Sequence, residues 1–277
     1  MRFEPAKPRM IFHYAGLILL SIICLTPIYI MISTSFKNEV LIFDGNPVWF
    51  FFFPTLQNYV DIIGDAHFDR YLLNSVIVGV STTLITLTTG GMAAYALARM
   101  QFPGRQSIAN GALLVRMIPP AVLAIPAFAV SIVLGIANQL SGLVFFYTAL
   151  NLPFSIWLLY GFVKQVPVEL EEAAIVDGAT PWQVFTRVLF PVMKAGYAVT
   201  GIFVFRIAWN EFILALLLTD RTTRTLPVAT SLFLTDSGPE WGRIMAMGTL
   251  IVIPPLIFTF FSARQIIAGM TAGAVKG

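Results

Sequence analysis

The chain has 277 residues, of which 57% are apolar and 11% charged, with 17 Lys and Arg set against 14 Asp and Glu. A soluble domain carries about 25% charged residues, so a soluble enzyme, a secreted disulfide scaffold and a disordered tail are all excluded. Met117–Val163 holds no charge over 47 residues and Tyr71–Ala98 none over 28, long enough for helices that cross a bilayer. The single Cys24 lies within an apolar run and permits no intrachain disulfide. The net charge of +3 comes without a basic, aromatic-laced cluster, so nucleic acid is not an expected partner.

In chain order, residues 1–11 form a short tail with Arg2, Lys7 and Arg9, followed by a first span over about Phe12–Ser35. That apolar stretch exceeds the 7–15 residues of a signal peptide and lacks a small-residue cleavage site, so it reads as a retained anchor. Residues 36–70 form an external connection, with Trp49–Phe53 suited to the membrane interface. Span two covers about Tyr71–Ala98, and the basic turn Arg99–Arg105 leads to span three over Ile108–Val133, which Pro119, Pro120 and Pro126 are expected to kink. Gly135–Gly142 is the turn inside the uncharged run. Spans four, five and six follow over Leu143–Val163, Tyr197–Leu218 and Arg243–Ile267, with a polar connection over 219–241 and a tail over 268–277. Ten Lys and Arg flank the spans on one side and five on the other, a bias that places both termini and the 164–196 segment in the cytoplasm. The expectation is an all-α, multi-pass protein with six transmembrane helices over 12–267, surrounded by membrane lipid.

The 164–196 segment carries the densest acidic cluster. Pro167 suits the first position of a helix, and Glu169, Glu171 and Glu172 fill a first turn where carboxylates favour the helix dipole. Leu170, Ala173 and Ala174 share one thin face. Asp177-Gly178 ends this helix, and Thr180-Pro181-Trp182-Gln183 opens a second with a capping box. An acidic, thin-faced helix suits a groove in another protein better than a lipid surface, which favours Lys and Arg.

Glu172-Ala-Ala, then Gly178 and, after nine intervening residues, Val188-Leu-Phe-Pro191 resemble the EAA motif of ATP-binding-cassette importer permeases, with a mild departure from the usual Ile-x-Leu-Pro ending. Ile32–Lys37, Asn74-Ser75, Ala94–Arg99, Ile118–Pro120, Asn151–Phe154, Trp209–Phe212, Leu226-Pro227 and Thr271–Gly277 extend the resemblance along nearly the whole chain. They narrow it to carbohydrate-type importers, and within these to the second permease of maltose-like systems. The resemblance implies a type I importer permease fold in a bacterial inner membrane, with a second homologous permease, two ATPase subunits and an external solute-binding protein as partners. It also implies that Glu172, Ala173, Ala174, Asp177, Gly178 and Pro191 belong to a coupling segment that docks on an ATPase. Glu172 is expected to pair with a basic residue there, while Glu169 and Glu171 read as solvated carboxylates. The C-terminal tail is expected to reach toward the ATPases.

Arg206, Trp209 and Asn210 share a helical face, and an aromatic platform beside polar groups suits a sugar or polyol; interhelical hydrogen bonding is the competing reading. Glu211 points elsewhere. Asn74, Ser81 and Thr82 lie close to one face of span two as a candidate polar path, whereas Gly90, Ala94 and Ala98 read as helix-packing contacts. Arg116 is expected to snorkel to the membrane surface. No catalytic constellation, metal-ligand cluster or phosphate-binding Gly-x-x-x-x-Gly-Lys-Ser/Thr loop is present, so the chain binds no cofactor of its own and ATP and Mg belong on the partner ATPases. A permease for a non-sugar solute is the alternative; a stand-alone secondary transporter is disfavoured because no internal repeat or buried acidic relay is evident.

Overall fold

The computed structural model describes the backbone of residues 8–65 and 67–274, with side chains for residues 10, 12–65, 67–112 and 114–260. Nine helices organise it: α1 (Pro8–Ser35), α2 (Phe68–Arg99), α3 (Arg105–Arg116), α4 (Pro120–Val133), α5 (Leu140–Gln165), α6 (Glu169–Val176), α7 (Lys194–Trp209), α8 (Ile213–Leu218) and α9 (Trp241–Ala274). Short helical turns and one two-stranded hairpin, Leu234–Thr235 with Gly238–Pro239, fill the connections. Arg2, Lys7 and residues 275–277 of the expected C-terminal tail lie outside the described residues, and α9 continues past the expected boundary at Ile267.

Four helices are long and apolar enough to cross a membrane, and up to six spans result if two bent pairs, Arg105–Arg116 with Pro120–Val133 and Pro181–Val192 with Lys194–Trp209, each count as one. The expected third span is broken: α3 stops at Arg116, and α4 restarts with Pro119 as its extended N-cap and Pro120 as its first residue. Pro126, by contrast, sits inside a continuous α4. The expected fifth span is also interrupted, at 210–212, leaving α7 and α8 as pieces of 16 and 6 residues. Both pieces are shorter than the roughly 20 residues a crossing needs.

The chain divides into two compact units, residues 1–68 with 230–250 and residues 69–229 with 251–277. In the first, the buried Asn58 amide donates to the carbonyls of Ser35 and Lys37, tying the end of α1 to the turn Gln57–Ile63. Arg243 joins Asp61 at 2.8 Å and Glu240 at 2.7 Å. From Phe12 to Ile30 every residue of α1 is exposed, an apolar surface that only lipid or another protein can cover.

In the second unit α5 is the central post. It packs against α3 and α7, and α8 packs on α4. One cluster gathers Val78, Ala124, Leu143, Tyr147, Leu214 and Leu218; another gathers Ala94, Leu159, Val163, Phe185, Leu189 and Tyr197. Small residues permit the close approaches: a Cβ on Gly90 would stand 2.6 Å from Ser155 Oγ, and one on Gly196 would stand 2.7 Å from the Phe162 ring. The packing stripe expected at Gly90 and Ala94 is therefore seen, with Ala94 wholly buried.

Overpacking of this kind costs about 1–3 kcal/mol, so Gly196→Ala lowers the thermal unfolding midpoint in detergent. Gly111→Ala, on the open side of α3 with nothing within 4 Å, raises stability by about 0.5–1 kcal/mol. Equal midpoints for the two variants would contradict the packing described. Hydrogen bonds from Arg243 and Gln57 hold the Asp61 carboxyl below its ordinary value. That stabilisation is present above the unfolded pKa of about 3.9 and lost as pH falls through the lower folded value. Asp61→Asn is accordingly expected to flatten the acid limb of a plot of unfolding midpoint against pH.

Candidate functional site: the 164–196 segment and the polar residues of the helices

The segment after α5 is two helices around a corner, as its local sequence dictates. Pro167 precedes the first of them: α6 begins at Glu169, and the Pro167 carbonyl accepts from the Leu170 N–H. Asp177 is the C-cap, and Gly178 takes the left-handed φ of +87°. The Gly178 N–H reaches the Ile175 carbonyl and the Ala179 N–H the Ala174 carbonyl, the paired bonds of a Schellman stop. Thr180 then caps the next turn through its hydroxyl, while the Gln183 side chain returns to the Thr180 N–H, with Pro181 at the first helical position.

Beyond this box the backbone widens into a π-helix over Val184–Leu189. Pro191 supplies no N–H, and its ring crowds the carbonyl four residues earlier, so a regular α-turn is unavailable ahead of it. The π turn packs against α6. At Met193 the chain bends by 80° into α7.

Glu172, Ala173, Asp177, Gly178 and Pro191 are exposed, and Ala174 is half-buried. Leu170, Val176 and Trp182 are exposed beside them, at 45%, 87% and 61%. The surface is therefore apolar with an acidic edge. Glu171 is different from the solvated carboxylate expected: its side chain is 6% exposed and pairs with Arg99 at 2.7 Å. The same guanidinium donates to the carbonyls of Val163 at 3.0 Å and Val166 at 2.8 Å. Arg99 thus sits at the C-terminal end of α2, satisfies open carbonyls at the C-terminal end of α5, and meets a carboxylate in the first turn of α6. All three placements favour the helix dipoles. The sequence reading missed this clamp, because the partners lie 72 residues apart and Arg99 was legible only as one charge in a basic turn.

The polar residues proposed for a solute path fare less evenly. Asn74 is buried, and its amide donates to the carbonyls of Thr222 and Arg224, while Ser75 Oγ accepts from the Leu226 N–H. Together they fasten the 219–226 connection, so Asn74 is a structural anchor and not an open path residue. Trp209 is 2% exposed, stacked on Phe205 with its indole N–H donating to the Ile251 carbonyl. It offers no free face to a sugar, which corrects the stacking-platform expectation. Arg206 and Asn210 are exposed, the Asn210 amide donates to the Arg206 carbonyl, and Ser81 is half-buried. Thr82 is wholly buried. No group of His, Cys, Asp and Glu suited to a metal occurs among the described residues.

Residues 86–271 match the model of the family described as "Binding-protein-dependent transport system inner membrane component", and the chain belongs to that family. Among relatives, it is 39% identical over 252 residues to the diacetylchitobiose uptake system permease protein DasC of Streptomyces coelicolor, covering 91% of each chain. It is 38% identical to the trehalose transport system permease protein SugB of Mycobacterium tuberculosis, over 91% of this chain and 93% of that one. The trehalose/maltose transport system permease protein MalG of Thermococcus litoralis is likewise 38% identical, over 95% of both. The fold matches a chain of a bacterial ABC transporter for alginate import with a TM-score of 0.76 at 20% identity, covering 96% of this chain and 99% of that one.

Removing one member of a buried ion pair strands the other, at a cost of about 3–5 kcal/mol. Arg99→Met is therefore expected to lower the melting midpoint far more than the Arg99→Met/Glu171→Met double variant does. Equal losses for the single and double variants in detergent melts would show that the pair is not what holds α6.

Proposed function

We propose that this chain is one permease half of a binding-protein-dependent importer for a carbohydrate, polyol or sugar derivative. It crosses the bacterial inner membrane six times, with α3 and α4 forming one broken crossing and α7 with α8 another, and both termini in the cytoplasm. A second homologous permease completes the pathway, a solute-binding protein delivers from outside, and two ATPase subunits below bind ATP and Mg. The surface of α6 is the observation that carries this reading. An exposed apolar strip with Glu172 and Asp177 at its edge is fixed to two long helices through Arg99.

Force delivered to that strip has a direct route inward. Glu172 would meet a basic residue of the ATPase, while its neighbour Glu171 holds Arg99 and, through it, the ends of α2 and α5. Closure of the ATPases would then move α6, and the two long helices would follow it. The carbohydrate class rests on three relatives named for diacetylchitobiose, trehalose and maltose transport.

A tagged chain purified from its native membrane is expected to bring down ATP-binding subunits; a preparation without any would end the importer reading. Glu172→Lys is expected to weaken that association by about 2–5 kcal/mol, the usual effect of disrupting one buried charge pair at an interface. Gly178→Ala meets no atom within 4 Å but carries a left-handed φ, a strain of about 1–2 kcal/mol. It is expected to lower uptake and its coupling to ATP hydrolysis with membrane insertion unchanged. Full uptake by Gly178→Ala would refute a role for the corner.

A further inference from the structure

Two helix breaks, one Pro-bearing and one with no Pro or Gly, supply residues to the same hollow. α3 ends at Arg116, Ile118 lies in the first break, and Glu211 lies in the second, between α7 and α8. These three, with Tyr147 and Asn151 of α5 and Ala208 of α7, line a recess of about 190 Å³. Non-helical backbone at membrane depth persists only where protein buries it or a water-filled cavity meets it.

The polar groups here are unequally committed. Glu211 points away from the Arg206, Trp209 and Asn210 side chains and into this recess: Oε2 accepts from the Tyr147 hydroxyl at 2.7 Å, and its two oxygens also accept from the Leu214 and Ala215 N–H groups. Asn151 donates to the Tyr147 carbonyl. Arg116 makes no hydrogen bond or ion pair among the described residues. Its guanidinium carbon lies over the Phe154 ring, 3.9 Å from the ring centre. Arg116 lies at the end of α3, eleven residues beyond Arg105, and is exposed in the chain. Charged groups within membrane-spanning segments face a protein interior or an aqueous cavity.

We propose that this recess is a solute-contacting station on this permease's side of the pathway, with Arg116 as its hydrogen-bond donor. The inference rests on the importer reading and adds a place and a chemistry to it. The exposed guanidinium donors of Arg116, uncommitted to any acceptor among the described residues, are open to an oxygen-bearing ligand. Glu211 in the same recess leaves the site without net charge, which selects a neutral, hydroxyl-bearing solute over an anion. The volume holds about six waters, the scale of one sugar ring.

The test uses the complete reconstituted importer with this chain carrying Cys24→Ser and Ile118→Cys. The thiol is expected to react with a water-soluble, charged methanethiosulfonate and to be protected by whichever of trehalose, maltose and N,N′-diacetylchitobiose the wild type takes up. No reaction, with and without ATP, would overturn the proposal, and equal protection by an acidic oligosaccharide would overturn the neutral-solute assignment. In parallel, Arg116→Met is expected to cut uptake at least about tenfold, the worth of one charge-assisted hydrogen bond, while ATP hydrolysis stimulated by the loaded binding protein stays near wild type. Unchanged uptake, or uptake and hydrolysis lost together, would count against a solute contact. A wild-type complex that neither hydrolyses ATP nor transports would instead refute the importer reading itself.

Discussion

The guanidinium of Arg99 is where three helices become one mechanical body. It ends α2, closes the open carbonyls at the end of α5 and holds the first-turn carboxylate of α6. Without it, α6 would be an eight-residue helix, below the length that is stable alone in water, attached to α5 by a short extended link. The Schellman stop and the capping box shape the chain from α6 to α7 locally, while Phe185 and Leu189 of the π turn pack against Ala94 of α2 and Leu159 and Val163 of α5. Arg99 is the polar contact that adds α6 itself to that anchorage in the long helices.

What was legible in the sequence was what short-range chemistry decides. Thr180, Pro181 and Gln183 form the capping box because all its bonds close within four residues, and Gly178 turns left-handed because α6 must stop against it. The apolar runs marked the long helices, and Pro119-Pro120 marked the first break. Pro126 did not behave the same way, since a proline within a helix can be carried when neighbouring elements support the backbone.

Less was legible where a residue's role depends on a distant partner. Asn74 and Trp209 are polar or aromatic in an apolar setting, which identifies a residue that needs hydrogen bonds without saying which. Their partners turned out to be carbonyls of the 219–226 connection and of α9. Glu171 and Glu172 are neighbours of identical type, yet one is buried in an ion pair and the other exposed. The 100° between successive residues on a helix separates them, and only the position of Arg99 decides which faces inward. The break at 210–212 has no Pro or Gly to announce it; Glu211, capping the short apolar run of α8, was its one available signal.

The corner at Gly178 is stiff. Across it the N–H groups of Asp177, Gly178, Ala179 and Thr180 are all hydrogen-bonded, and Pro181 has none to bond. No backbone donor is left over to make a bond in some other arrangement, so bending the corner means breaking one that exists. The two helices therefore work as the arms of a stiff bracket. With Arg99 holding the α6 arm to α2 and α5, the 80° bend at Met193 is the remaining joint between the bracket and α7.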